Sequence, residues 1–510
     1  MGYPTGGEKD TSPPVIISES PKNASINFNG QEIIIKFDEY IKLNNPQQII
    51  TSPAIIPNPE YIIKGKSLHI LLKNNLIPNT TYSINFGTSI SDITENNVNP
   101  NIIYAFSTGP EIDTLKISGR ILNAYTLQPE KNVKVMLYPT DSAVLQTLPS
   151  FLAVTDNNGF FKINYIKKQT YNIAGLKDNN ANYIYDLPNE EIAIYNRIID
   201  WQNDSVYNIN LYLFKEDKEK QYLSKVTYYE PGKVFIKGNK NFYKPVVALN
   251  TGLKSSAADY EFFQYSNDTI LLWFNKQIAD TLQIIVKDSS FMEFKTIYID
   301  RTNKLNRNKI SFIHNGSGNF RAENSFILQS DYPCINKLDE LEKIKIYEDT
   351  IQVSYAIENI NALKWKFIFN KSEAKKYKII IPANTFTDIY GNTNDTTIIE
   401  FKVPDAEYYG LLNLSVNTQT EKPLLLELLT SKGQVIKKIS FKKSLKTNIE
   451  KLEPGNYNLR IVIDTDKNNM WTNGNFDSKT LPERIIYYNT PVNIRSNWDL
   501  DIIWNITESF

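Results

Sequence analysis

From Pro14 onward, apolar and polar residues alternate in short runs: EIIIKFDEYI over 32–41, SLHILL over 67–72, TYSINFG over 81–87 and IIYAFSTG over 102–109. A period of two places successive side chains on opposite faces of a half-buried strand. Asn, Pro and Gly separate the runs, so residues 14–110 read as one β-sandwich. The same texture continues with LKISGRILNAY and VTDNNGFFKINYI in 111–217, and with KVFIKG, TILLWF, LQIIVKD and FKTIYID in 218–310. It resumes with KKYKIIIPANTF in 311–405 and GLLNLSV in 406–510. Only KLDELEKIKI, at 337–346, predicts a short helical turn ahead of its strand. The pattern predicts an all-β chain, a serial array of five sandwiches behind a Gly/Pro-containing tether at 1–13, with helix far below the usual globular share.

Two internal repeats cut across this array. Tyr82, Asp92 and Phe106 recur as Tyr377, Asp388 and Phe401 at nearly the same spacings. TYNIAGLKDNNANYIYD and NYNLRIVIDTDKNNMWT each place a tyrosine, Tyr171 or Tyr457, seven residues before an aspartate, Asp178 or Asp464. Asn180 then matches Asp466, Asn182 matches Asn468, and Tyr185 matches Trp471; both copies run on to a proline and a glutamate, LPNEEI or LPERI. Segments 14–110 and 311–405 therefore form one pair and 111–217 and 406–510 another.

These loops are the first candidate site. Asp178, Asn180, Asn182 and Asp186 occupy the first, third, fifth and ninth places of an oxygen-ligand loop, and Asp464, Asp466 and Asn468 repeat its start. A hard cation such as calcium takes six to eight oxygens, which closely spaced Asp and Asn supply. The same residues also build an ion-free hairpin loop, because Asn and Asp tolerate positive φ and bond their own backbone. Tyr183 stands where an EF-hand needs glycine and Asn189 where it needs a bidentate glutamate, with Glu191 and Glu483 as carboxylates able to reach back. Both readings stay open, and a structural calcium ion is the one cofactor in view. The adjacent pair Glu190-Glu191 reads as a solvated loop rather than as two acids facing across a cleft.

Composition narrows the function. Lys plus Arg and Asp plus Glu number 56 each, so the formal charge is zero and the basic footprint of a nucleic-acid binder is missing. The single cysteine, Cys334, allows no intramolecular disulfide and reads as a small buried apolar residue. His69 and His314 lie in separate strand-like runs, without the clustered partners that zinc or triad chemistry needs. NGSGNF at 315–320 reads as a turn, and no nucleophile elbow, metalloprotease helix or phosphate cradle is present, so no enzyme activity is expected.

The Phe37-Asp38-Glu39-Tyr40-Ile41 stretch, LIPNTTYSINFG, SDITENN and YAFSTG resemble the bacterial Ig-like domain of surface-layer and secreted proteins, over about 12–109. Asp156, Gly159 and Phe161 in VTDNNGFF, with the opening glycine strand and YNIAG, resemble the prealbumin-like (carboxypeptidase-regulatory or Cna B-type) sandwich; the C-terminal copy lacks that hairpin and is a weaker member. Asp followed by Ser or Thr and then a small or aliphatic residue or Thr recurs at Thr114, Ser142, Ser205, Thr269, Thr281, Thr350 and Thr396. This is similar to the O-glycosylation acceptor motif of exported Bacteroidota proteins. PTGGEKDTSPPVI resembles the stretch after the lipidated cysteine in Bacteroidota envelope lipoproteins with an N-terminal Ig-like domain, and the resemblance runs through all five segments. It implies a lipidated cysteine immediately upstream, with Met1-Gly2 in its place here, and attachment to the outer membrane by acyl chains alone. It implies a non-catalytic envelope scaffold whose partner is an outer-membrane β-barrel or its complex for assembly, export or uptake. The alternative is a surface adhesin or glycan-binding protein. Six dispersed tryptophans, at 201, 273, 365, 471, 498 and 504, mark no sugar platform and favour the scaffold.

Overall fold

A computed structural model describes residues 10–73, 75–100, 102–201, 206–229, 231–250, 261–275, 280–289, 291–300, 309–335 and 338–506. The described residues are almost entirely strand and turn; the α-helix among them is the four-residue Leu338–Leu341, just ahead of the strand Lys345–Glu348. The chain is all-β, a series of sandwiches.

In the first sandwich, Ile16–Ser20, Glu32–Phe37, Ser67–Leu71 and Glu60–Lys64 form one sheet in that order, opposed by Ile50–Ser52, Thr81–Asn85 and Ile103–Ser107. The alternation in EIIIKF sets its inward face: Ile33, Ile35 and Phe37 are fully buried and the residues between them face out. Burying each such side chain contributes roughly 1.5–3 kcal/mol, which carries the cost of ordering these short strands.

The fourth sandwich repeats this plan, with Phe312–His314, Phe326–Ser330, Lys364–Ile368 and Ala356–Asn361 against Ile351–Val353, Lys345–Glu348, Lys375–Ile381 and Thr397–Val403. The repeat is geometric as well as sequential. Tyr82 stacks on Phe106 at 5.4 Å and 15°, and Tyr377 on Phe401 at 5.4 Å and 16°. Each hydroxyl accepts a backbone N–H from five residues upstream, Ile77 at 2.8 Å and Ser372 at 2.7 Å. Asp92 and Asp388 each cap a tight turn, through the N–H groups of Glu95, Asn96 and Asn97 or of Tyr390 and Asn392.

The second and fifth sandwiches share a different plan. Leu115–Asn123 lies between antiparallel Phe160–Ile166 and parallel Val206–Leu213; Gly410–Thr418 lies between antiparallel Ser444–Leu452 and parallel Asp499–Ile506. The facing sheets also agree in order, Phe151–Val154, Lys134–Pro139, Tyr171–Lys177, Glu191–Ile194 against Val435–Phe441, Leu424–Thr430, Gly455–Val462, Ile485–Tyr487. Tyr171 and Tyr457 each donate to a carbonyl four residues upstream, Lys167 and Glu453. The fifth sandwich is thus a full member of this plan despite its missing hairpin motif, because the strand order depends on which faces are apolar and not on the turn that joins them. Gly119 marks the tightest packing: a Cβ there would lie 1.7 Å from the Ile209 carbonyl of the parallel neighbour.

The third sandwich pairs Leu223–Tyr229, Lys233–Gly238, Thr269–Phe274 and Glu261–Ser266 against Val246–Asn250, Thr281–Asp288 and Phe291–Tyr298. Apolar cores fall at 28–106, 117–213, 223–286, 310–403 and 412–506. Consecutive sandwiches touch. Leu152 N–H donates to Ser52 Oγ at 3.0 Å, Tyr390 hydroxyl donates to the Gly232 carbonyl at 2.9 Å, and Arg321 donates to the Lys451 carbonyl at 2.9 Å. The fifth sandwich also contacts the second, through Arg460 with Tyr125 and Phe476 with Glu216.

Candidate functional site

The two Asp/Asn loops project from equivalent strand ends of the second and fifth sandwiches, and the structure brings those sandwiches together beside them. In the first loop the Asp178 carboxylate accepts from Ala181 N–H at 2.7 Å and Tyr183 N–H at 2.9 Å and pairs with Lys134 Nζ at 2.6 Å. Burial by itself raises this carboxyl; the Lys134 ammonium and the two N–H groups outweigh it and hold Asp178 below its ordinary value. Asn180 and Asn182 turn their amide N–H groups to Asp186, at 3.1 and 2.7 Å. This loop already contains its cation, the lysine ammonium.

Glu190, buried from solvent, closes the same loop by accepting from Asn179, Asp186 and Leu187 N–H. The expectation that Glu190-Glu191 forms a solvated pair and that Glu191 reaches back is therefore corrected. Glu191 opens a strand and pairs with Lys177, while its neighbour points the other way into the loop, as strand alternation requires. Glu483 is its counterpart, accepting from Thr465 and Thr472 N–H at 2.6 and 3.0 Å. The signal was present in LPNE against LPE, where the first glutamate after the proline is the equivalent one.

The second loop differs in charge. Ligand oxygens of Asp464, Asp466 and Glu483 lie within 4.8 Å of one another, and among the described residues no lysine or arginine is paired with them. Asn468 donates to Asp466 and accepts from Met470 N–H. Three carboxylates at this spacing match the reach of a hard divalent cation with oxygens at roughly 2.3–2.6 Å. The side chains are also fully provided with internal donors, which makes the loop ordered in either case.

The segments after each aspartate, together with Arg460, Tyr125 and residues 214–216, form the junction between the sandwiches. Arg460, 3% exposed, pairs with Glu427 at 2.6 Å and reaches across to the Tyr125 hydroxyl at 2.7 Å. The Tyr125 ring lies under that guanidinium at 4.5 Å and edge-on to Trp471 at 5.0 Å. On the other side Tyr185 meets Phe476 at 5.5 Å, and the buried Glu216 accepts from both the Tyr185 hydroxyl and Phe476 N–H, each at 2.7 Å. Asn473 donates to the Lys215 carbonyl, and Gly474 leaves no room for a side chain against Phe214. None of these cross-domain partners was visible in the sequence; Tyr185 and Trp471 stood out only as repeat positions.

Of the acceptor-motif hydroxyls, Thr114, Thr350 and Thr396 are exposed and Ser142, Thr269 and Thr281 half-buried, while Ser205 lies outside the described residues. His69 pairs with Glu32 at 2.8 Å, far from His314, which stacks on Phe326. Cys334 is buried, and that burial pushes its thiol up to about 12.

The third sandwich carries an exposed sheet face. Cross-strand register puts Val246, Lys287 and Met292 in one row and Ala248, Ile285 and Phe294 in the next, with Tyr298 opposite Thr281 beyond. Val246, Met292, Phe294 and Tyr298 are 56–85% exposed. Among the described residues no carboxylate belongs to this face.

Residues 10–108 match the bacterial Ig-like domain family. No curated protein matches the chain. Among solved structures the chain is similar to the major pilin subunit BcpA of Bacillus cereus, at 8% identity over 77% of this chain and 99% of that one, with a TM-score of 0.14. It is also similar to domains 1–6 of the surface layer protein SbsC, at 9% identity over 89% of this chain and 64% of that one, with a TM-score of 0.15. The Bacillus anthracis TIE protein aligns at 8% identity over 99% of this chain and 76% of its own, with a TM-score of 0.13. At these scores the whole-chain likenesses carry no functional argument.

Proposed function

We propose that this chain is a non-catalytic scaffold of a bacterial cell envelope, the mature part of an outer-membrane lipoprotein whose sandwiches present a binding face to a membrane-embedded β-barrel. The observation that carries this reading is the acid-free face of the third sandwich, where Val246, Met292, Phe294 and Tyr298 expose apolar surface in cross-strand rows. Contiguous exposed apolar surface on a folded protein marks an interaction site. The contacts of the fifth sandwich with the second fix those two parts of the array against each other, which suits a part that positions a partner. The Ig-like match over 10–108 and the acceptor motifs on exposed or half-exposed residues support an exported location. A photo-crosslinking residue in place of Phe294, activated in native membranes, tests it: the proposal expects one discrete adduct with an integral β-barrel protein. No adduct, or one equally strong from a position on the first sandwich, refutes it.

A further inference from the structure

Two clefts, of about 260 and 570 Å³, open between the second and fifth sandwiches and share the segment Ile194 to Arg197 as their common wall. The larger has the volume of a small-ligand site, and it lies at a domain junction, where such sites concentrate. Its polar groups come from separate stretches of chain: Thr140 and Gln146 from one loop, Asn172 from a strand, Asn196 from the edge segment and Lys479 from the fifth sandwich. Val144, Ile194, Ile198 and Phe476 supply the apolar part of the lining. Among the described residues the Arg197 and Lys479 side chains carry no hydrogen bond or ion pair, whereas the cleft's one carboxylate, Asp477, is paired with Lys218 at 3.5 Å. Two uncommitted cations therefore flank a wall of side-chain amides and hydroxyls.

This combination selects a ligand class. A side-chain amide offers donors and an acceptor together, which matches adjacent ring hydroxyls that each donate and accept. An aromatic and aliphatic floor fits the C–H face of a pyranose ring, and a guanidinium engages a carboxylate or sulfate through two parallel bonds. We propose that the cleft between the second and fifth sandwiches binds a short acidic saccharide, its carboxylate or sulfate held by Arg197 and Lys479 and its hydroxyls by Asn172, Asn196 and Gln146. This site is separate from the face of the third sandwich and stands whether or not a barrel binds there.

The test is an array of uronic-acid, sialic-acid and sulfated oligosaccharides beside their neutral counterparts, with an acidic hexapeptide included, followed by titration calorimetry on the full chain. The expected result is binding to acidic saccharides at least about tenfold tighter than to their neutral counterparts, and a loss of about tenfold or more in Arg197→Ala and in Lys479→Ala, the scale of a charge-assisted hydrogen bond. Both positions are exposed, so the variants keep the parent's thermal transition. Absence of binding to any acidic saccharide overturns the proposal. So does binding unchanged in both variants, or binding to the peptide in preference to the saccharides.

Discussion

Replacing Arg460 by alanine tests how the second and fifth sandwiches are held together. Its guanidinium is nearly inaccessible, pairs with Glu427 at 2.6 Å, and donates to Tyr125 at 2.7 Å while lying over that ring at 4.5 Å. Removing one member of a buried pair costs about 3–5 kcal/mol, since the other charge is left without compensation. Here Lys438 also contacts Glu427, at 3.2 Å, which brings the loss within the fifth sandwich toward the lower end. The part that crosses to Tyr125 is a charge-assisted hydrogen bond of about 1.5–3 kcal/mol and a cation–π contact of about 0.5–2 kcal/mol. A double-mutant cycle with Tyr125→Leu isolates that part. Native-state hydrogen exchange of the Gly455–Val462 strand is the appropriate readout, because a five-sandwich chain does not unfold in two states. We expect a coupling of about 2 kcal/mol. A coupling below about 0.5 kcal/mol refutes the view that Tyr125 and Arg460 hold the junction closed.

Four further outcomes follow from the geometry. Calcium should raise the melting temperature and a chelator lower it, with Asp464→Ala abolishing the shift and Asp178→Ala leaving it intact, since Lys134 already occupies the first loop; a shift lost in Asp178→Ala instead contradicts this. The Asp178 carboxyl is held below its unfolded value, so its contribution is present above about pH 4 and is lost as pH falls through the lower folded value; acid titration of stability should show this loss in the parent and not in Asp178→Asn. Tyr82→Phe should cost about 1 kcal/mol, and Tyr377→Phe more, because the Tyr377 hydroxyl serves both Ser372 N–H and Glu348; equal losses in native-state hydrogen exchange of the two sandwiches contradict it. Gly119→Ala should destabilise the second sandwich by about 3 kcal/mol, as its methyl meets the Ile209 carbonyl, and a neutral result in the same assay contradicts it.

The strands were legible because alternation directly encodes burial: EIIIKF predicts Ile33, Ile35 and Phe37 inside, and they are inside. The repeats were legible because Tyr82 and Tyr377, or Tyr171 and Tyr457, fill positions where a hydroxyl must meet backbone a fixed number of residues away. The loops were legible as loops, but their chemistry depended on residues far off in the chain. Lys134, 44 positions before Asp178, decides the first loop, and nothing in its own strand marks it as a partner. The junction was hidden for the same reason. Tyr125 and Arg460 are 335 residues apart, and each reads locally as an ordinary loop or strand residue. Glu190 was misread because a loop carboxylate was taken as solvated, whereas three backbone N–H groups of its own loop bury it, and those donors cannot be read from the sequence.

The scaffold reading is tested most directly by mild-detergent purification of the full-length protein from native membranes, with the stoichiometry of co-purifying proteins measured for the parent and for a Met292→Glu, Phe294→Glu pair. Both residues are exposed on the third sandwich, so the substitutions leave its core intact. The account predicts one integral β-barrel protein at near one-to-one ratio with the parent and its loss from the substituted protein. Elution of the parent without a barrel, or equal recovery of the barrel with the substituted face, would contradict it.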